Sequence, residues 1–193
     1  MLEESAARWL LVLHTAIGVA AVGATTHLVI WLRRYVRGQS GMRRAVRRFA
    51  YLALVLQGAA FLVGNIMYPT YKVEVRTAYL ENPTAVGVQQ TTKDSELVRI
   101  AAKAHEPPTI NPTTADMVRR AASAARWFDI KEHWVALGIL VSAALALILT
   151  LWDPQQDGGE VISPIAVSLA VLASGTTWLA AIVGVLTAAW RAV

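Results

Sequence analysis

Two of the four histidines in this 193-residue chain lie within one apolar stretch, WLLVLHTAIGVAAVGATTHLVIW, at residues 9–31. These are His14 and His27. Hydrocarbon leaves the donor and acceptor of an imidazole unpaired, so a histidine in such a segment marks a candidate functional site. Two imidazoles that project from different helices of a membrane bundle can supply both axial ligands of a haem iron.

His133 is the expected partner of His14. His14 lies about five residues below the outer end of the first apolar segment, and His133 lies near the outer start of the third. At 1.5 Å per residue the two side chains occupy the same half of the membrane. We therefore predict that His14 and His133 hold one haem b on the outer side.

The same two histidines could instead hold a metal ion. Glu132, with His105 or Asp129, would complete a mixed nitrogen and oxygen site of the kind suited to zinc, copper or iron. Adjacent residues of a helix diverge by about 100°, so Glu132 and His133 would not easily ligate one ion, which favours haem over a metal.

A third interpretation needs no ligand. A histidine at the membrane interface, as His133 would be, is readily hydrated. His14 could bond a backbone carbonyl or the side-chain amide of Asn65 or Gln57.

His14 and His27 lie thirteen residues apart, which is about 20 Å along a helix. This arrangement resembles the membrane cytochromes b, in which two histidines of one helix hold two stacked haems. The resemblance implies a second haem at His27. Thirteen residues rotate His27 by about 140° from His14, however, whereas fourteen would restore the same face. No other histidine lies on the inner side and Met67 is on the outer half, so a packing role for His27 is the favoured alternative.

These residues must be positioned by a membrane bundle. The chain is 55% hydrophobic and has a mean hydropathy of +0.45, and four segments are long enough to cross about 30 Å of hydrocarbon. We predict an all-α integral membrane protein, a single domain over residues 1–193 with four transmembrane helices. Its spans are 9–32, 49–69, 130–152 and 161–190.

Loop 33–48 fixes the predicted orientation, because it carries seven arginines and no acidic residue. Short loops rich in Lys and Arg stay in the cytoplasm, which places both termini and loop 72–129 on the outer, periplasmic side of a bacterial inner membrane. The arginines would also attract anionic lipid headgroups, and their place beside a bilayer argues against nucleic acid as a partner. The absence of cysteine excludes thiolate metal sites and iron–sulfur clusters.

Loop 72–129 is expected to form a cap of short helices between the second and third spans. One helix is predicted to begin at Asp94 or Ser95, after a loop that starts at Asn82-Pro83, and another at Thr113 or Thr114.

The second span is expected to end at Pro69 and to turn its polar and small residues toward its neighbours. Beyond it, Lys72, Arg76 or a tyrosine of the same segment could bind haem propionates or a quinone headgroup, or these residues could simply form an interfacial belt. The polar and small residues of the span are Gln57, Gly58, Gly64 and Asn65.

Together these patterns predict a b-type cytochrome that transfers electrons between a quinone and a partner redox protein, or within a larger membrane complex. It would then be an electron carrier or oxidoreductase subunit. The first alternative is an accessory or assembly subunit without a cofactor, in which the intramembrane polar groups only join helices. A protein that handles metal ions or protons is the second alternative, which the scarcity of charge at mid-membrane disfavours.

Overall fold

The structure, a computed structural model, describes residues 3–105, 107, 113–152 and 159–189, and within them all regular structure is helical. A 3₁₀ turn, Ser40–Met42, precedes the second α-helix, and a π-helical segment, Tyr71–Leu80, continues it without a break. The α-helices are α1 (Glu4–Val36), α2 (Arg43–Thr70), α3 (Pro83–Ala104), α4 (Thr114–Leu151) and α5 (Gly159–Ala189).

The four predicted spans are confirmed as long apolar helices: α1, α2 with its π-helical extension, α4 and α5 are each long and apolar enough to cross a membrane. α1 packs against α2 and α5, and α4 packs against the same two helices. α1 and α4 therefore lie diagonally across the bundle. We call the end that contains His14 the His14 end, and the opposite end, where α2 begins, the arginine end.

The packing is that of a protein surrounded by lipid. The bundle's main core, towards the arginine end, is rich in alanine, with Ala50, Ala53 and Ala166 almost fully buried. Large side chains point outward instead, and Leu140 and Leu151 are 69% and 78% exposed. Small residues inside let helix backbones approach closely, while lipid solvates the large residues outside.

A buried amide joins three of the spanning helices near the middle of the bundle. The side chain of Gln57 in α2 accepts a hydrogen bond from Ser142 Oγ of α4 and donates one to Thr177 Oγ1 of α5, each of 2.9 Å. Gln57 is only 6% exposed. The fourth helix joins through Trp178 Nε1 of α5, which donates to Thr26 Oγ1 of α1 at 3.1 Å.

One predicted boundary and one predicted side-chain orientation in the second span are wrong. α2 does not end at Pro69 but passes through it into the π-helical segment. Proline removes only one backbone donor, and packing of Tyr71 against Phe128 of α4 holds the helix beyond it. Gln57 faces its neighbours as expected, but Asn65 is exposed.

The region between the second and third spans also differs from its prediction. α3 begins at Pro83 rather than near Asp94, because the Asn82 side chain caps it by accepting from the backbone N–H groups of Thr84 and Ala85 at 3.1 and 3.2 Å. Asn82-Pro83 is thus a cap followed by proline in the first turn, a favourable helix start rather than a loop.

The helix start at Thr113 is confirmed, since Thr113 Oγ1 accepts from the backbone N–H of Asp116 at 3.2 Å. This helix is not a separate cap, however, because α4 continues without interruption into the third span. α3 packs against α4 and the π-helical segment through a second apolar cluster, formed by Leu80, Val86, Ala121, Ala124 and Ala125.

We predict that Gly138→Ala destabilises the bundle by about 1–3 kcal/mol, because the site has no room for a methyl group. A Cβ at Gly138 would lie 2.6 Å from Thr176 Oγ1 and 3.3 Å from Thr176 Cβ. Thr176 is buried and β-branched, so it cannot easily move away. Thermal unfolding in detergent measures the effect.

The matched control is Gly58→Ala in α2, where a Cβ would meet nothing within 4 Å. This variant should unfold at or slightly above the wild-type temperature, because alanine is the better helix former. Equal losses in both variants would contradict the close contact between α4 and α5 at Gly138.

Candidate functional site

His14 is half-buried in α1, with its ring against α2. A methyl group at Gly64 would lie 3.3 Å from His14 Cε1 and 3.7 Å from Nδ1, so this glycine makes room for the ring. The ring also interacts with the backbone of Ala60. Its Nδ1 atom is buried and has no hydrogen-bond partner among the described residues. An unpaired ring nitrogen is thus available on the inside of the bundle.

Lys131 brings a positive charge to the same end of the bundle. Its ammonium lies 5.3 Å from the centre of the Phe128 ring and 3.2 Å from the position that a Cβ of Gly184 would occupy in α5. It is also within electrostatic range of His14. Among the residues that the structure describes, no carboxylate forms an ion pair with it. A half-buried cation without such a partner is costly in an apolar surrounding.

Tyr71 is the third polar group. Its ring stacks on Phe128 with the centroids 3.9 Å apart and the planes at 20°. Its hydroxyl is buried and has no partner within the described ranges. Tyr71 lies seven residues after Gly64, so it is about 10 Å nearer the end of the bundle than the glycine that contacts His14. Lys131, in contact with Phe128 and within electrostatic range of His14, lies between these two levels.

An ion-pair network ties the π-helical segment to α4. Arg76 binds Asp129 at 2.6 Å and Glu81 at 2.8 Å. The predicted role of Arg76 toward a propionate or headgroup would compete with these two carboxylates. Lys72, the other basic candidate, is exposed.

We call His14, Tyr71 and Lys131 the His14 cluster. The three come from α1, from the π-helical extension of α2 and from α4, and each can donate a hydrogen bond. Two of them have polar atoms that are buried without partners, and the third is a cation that forms no ion pair in the described part of the chain, although the charge of Glu132 on the same helix acts on it. The cluster is suited to a ligand that supplies acceptor oxygens.

His133 lies on a different face of α4 from Lys131. It is exposed, and its Nδ1 hydrogen-bonds the Asp129 carbonyl of its own helix at 2.8 Å. His133 lies two positions after Lys131, so the two side chains point about 200° apart around the axis of α4. No contact between His14 and His133 is found in the described residues, so their joint ligation of haem or a metal stays a prediction. The described residues also contain no group of three or more His, Asp or Glu side chains able to hold a metal ion.

Of the remaining two histidines, His27 has local side-chain partners and His105 lies at a helix end. His27 is exposed, and its Nδ1 bonds the Gly23 carbonyl of its own helix at 2.8 Å. Its ring lies 6.0 Å from the Trp31 ring and 6.1 Å from the Phe49 ring. His105 follows the last residue of α3 in the left-handed conformation, with φ of 57°. The packing role of His27 and its role as a haem ligand both stay predictions.

The inward position of Lys131 was not predicted from the sequence. The sequence does contain a pattern that indicates this position, because Lys131, Gly138 and Leu145 are spaced seven residues apart. Residues seven apart share a helix face, and Gly138 and Leu145 are buried. The periodicity of the buried residues therefore indicates that Lys131, rather than His133, faces the interior of the bundle.

Comparisons of the chain with protein-family models, with curated proteins and with solved structures found no match. A function has to be argued from the His14 cluster and from the bundle that positions it.

We predict that Lys131→Met leaves the bundle as stable as wild type or raises its unfolding free energy by about 1–3 kcal/mol. Methionine fills a similar volume without an uncompensated charge. The wild-type lysine is then retained for something other than stability. Thermal or denaturant unfolding in detergent gives the comparison.

Arg76→Met is the matched control, because Arg76 is also a basic residue at this end but has two carboxylate partners. It should lower the unfolding free energy by about 1 kcal/mol. If Lys131→Met destabilised the protein as much as Arg76→Met, Lys131 would have a structural role.

Proposed function

We propose that this chain is a quinone-binding subunit of a membrane electron-transfer complex, with the quinone headgroup held by the His14 cluster. The observation that supports this is the presence, at one end of the apolar bundle, of His14 Nδ1 and the Tyr71 hydroxyl, which are buried without partners among the described residues, together with the Lys131 ammonium. A quinone headgroup supplies two carbonyl oxygens, and its apolar tail partitions into the membrane. The bilayer and the other subunits of the complex are the remaining partners.

The chemistry of the three side chains suits reduction as well as binding. A quinone that takes up two electrons and two protons becomes a quinol. The electrons would come from a redox protein of the complex, and His14 and Tyr71 carry groups that can pass protons to the carbonyl oxygens. The ammonium of Lys131 would stabilise the negative charge that develops on the ring oxygens.

The orientation predicted from the arginine loop belongs to the same proposal. With loop 33–48 in the cytoplasm of a bacterial inner membrane, the His14 cluster faces the periplasmic half of the bilayer. α3 and the π-helical segment then cover this end of the bundle as an extramembrane cap. A quinone would enter from the lipid, and its redox partner would dock on the periplasmic face.

The test is the binding of a short-tailed benzoquinone to the detergent-purified protein by isothermal titration calorimetry. Lys131→Met and His14→Phe should each weaken binding by about 10-fold or more, because each removes a hydrogen bond to a desolvated oxygen. His27→Phe is the matched control, since it removes a histidine from the same helix, outside the cluster, and should bind with wild-type affinity.

Equal affinities in all of these proteins would contradict the quinone site. Absence of binding by correctly folded wild-type protein would favour an accessory or assembly subunit. A dependence on His27 as strong as on His14 would move the site to the other half of the bundle.

A haem site is a second candidate, and the buried unpaired nitrogen of His14 is the observation that favours it. His14 could hold a haem through this nitrogen, but no second imidazole lies beside it among the described residues, so a b-type cytochrome would need another ligand or a rearranged α4. Haem propionates would compete with Asp129 and Glu81 for Arg76.

We predict that His14→Ala abolishes haem binding if the protein is a cytochrome. A reduced-minus-oxidised visible spectrum and a pyridine haemochrome assay measure the content. Loss of haem in His133→Ala as well would establish the predicted pair. About two haems per chain would implicate His27, and a featureless spectrum from protein expressed with ample haem would exclude this candidate.

A further inference from the structure

The arginine end of the bundle carries a concave, strongly basic pocket. It has a volume of about 620 Å³ and lies where α2 begins. Its lining residues are Gly41, Arg43, Arg44, Arg47, Arg48 and Tyr51. The pocket is at the opposite end of the bundle from the His14 cluster, so an inference about it is independent of the proposed quinone site.

The lining of this pocket contains four arginines and no acidic residue. Residues 33–48 contain no acidic side chain, and Arg44, Arg47 and Arg48 form no ion pair within the described ranges. The first turn of α2 also lacks an acidic residue, and the residue before it makes no side-chain cap. The positive end of the helix dipole adds to the positive charge of the guanidinium groups. An anion would lower the electrostatic energy of the whole pocket.

The aromatic residues around the pocket place it at the boundary between hydrocarbon and headgroups. Tyr51 lines the pocket and shares a 2.6 Å hydrogen bond with Thr150 of α4. Trp31 and Phe49 contact each other at the same end, with their ring centres 4.3 Å apart. Tryptophan and tyrosine concentrate at this depth of a membrane, where phospholipid phosphates lie.

We propose that the pocket is a binding site for the phosphate group of an anionic phospholipid. Guanidinium groups match phosphate oxygens in a planar, two-point geometry and keep their charge at any physiological pH. Because the arginines project from successive turns at the start of α2, several can reach one headgroup. The acyl chains would lie along the exposed apolar side chains of the neighbouring helices.

The experiment titrates detergent-purified protein with phosphatidylglycerol or phosphatidylcholine of identical acyl chains and counts the retained lipids by native mass spectrometry. Wild type should retain phosphatidylglycerol in preference to phosphatidylcholine. The triple variant R44Q/R47Q/R48Q should lose about 100-fold in apparent affinity, because each basic residue contributes roughly fivefold toward an anionic headgroup.

The matched control is R33Q/R34Q/R37Q, which removes the same number of charges from the same loop but outside the pocket. It should retain phosphatidylglycerol within about threefold of wild type, since these residues do not line the site. Circular dichroism and gel filtration check that both variants remain folded. Equal loss in the two triple variants would show general attraction to the loop and would overturn the site.

A competition arm separates a lipid from a free phosphate. Millimolar inorganic phosphate, with a matched chloride control for ionic strength, should leave the bound phosphatidylglycerol in place. Displacement by phosphate but not by chloride would show that the pocket recognises free phosphate, and the lipid assignment would then be wrong. Retention of both lipids to the same extent would also overturn the proposal.

Discussion

The structure depends on how polar groups are satisfied where water is absent. Gln57 meets this requirement completely, because both ends of its side-chain amide have partners, on α4 and on α5. The approach of these helices is made possible by Gly138, beside which Thr176 lies too close for a methyl group. One amide and one glycine therefore determine how the helices pack at the centre of the bundle. The two ends of the bundle can then carry different sets of side chains.

At the His14 end, aromatic and ionic contacts join the π-helical extension of α2 to α4. Arg76 and Asp129 hold the π-helical extension of α2 against α4, and the stacked Tyr71 and Phe128 rings fill the space below them. The i→i+5 hydrogen bonding of this segment widens its turns, and such segments occur frequently at functional sites. The extension is what brings the Tyr71 hydroxyl into the same end of the bundle as His14.

Hydropathy alone sufficed to predict the four spanning helices, because bilayer thickness imposes their length. The helix start at Thr113 followed from the capping pattern in the same way. A local rule failed at Pro69, which the helix passes because packing against α4 holds the segment beyond it. At Asn82-Pro83 the capping rule holds, and the predicted loop is instead a helix start. Predicting the inward position of Lys131 requires the pattern of buried residues along α4. That pattern becomes unambiguous only when the helices that pack against α4 are known.

The contrast between Gln57 and the His14 cluster distinguishes structural polar residues from a binding site. Polar residues that only join helices find donors and acceptors in each other, as Gln57 does with Ser142 and Thr177. In the His14 cluster each of the three groups can donate a hydrogen bond, yet neither His14 Nδ1 nor the Tyr71 hydroxyl has a partner among the described residues. Such an arrangement costs stability without joining the helices. A selected sequence retains such a cost where a ligand with acceptor oxygens offsets it, which is why the His14 cluster, rather than the buried amide, carries the functional proposal.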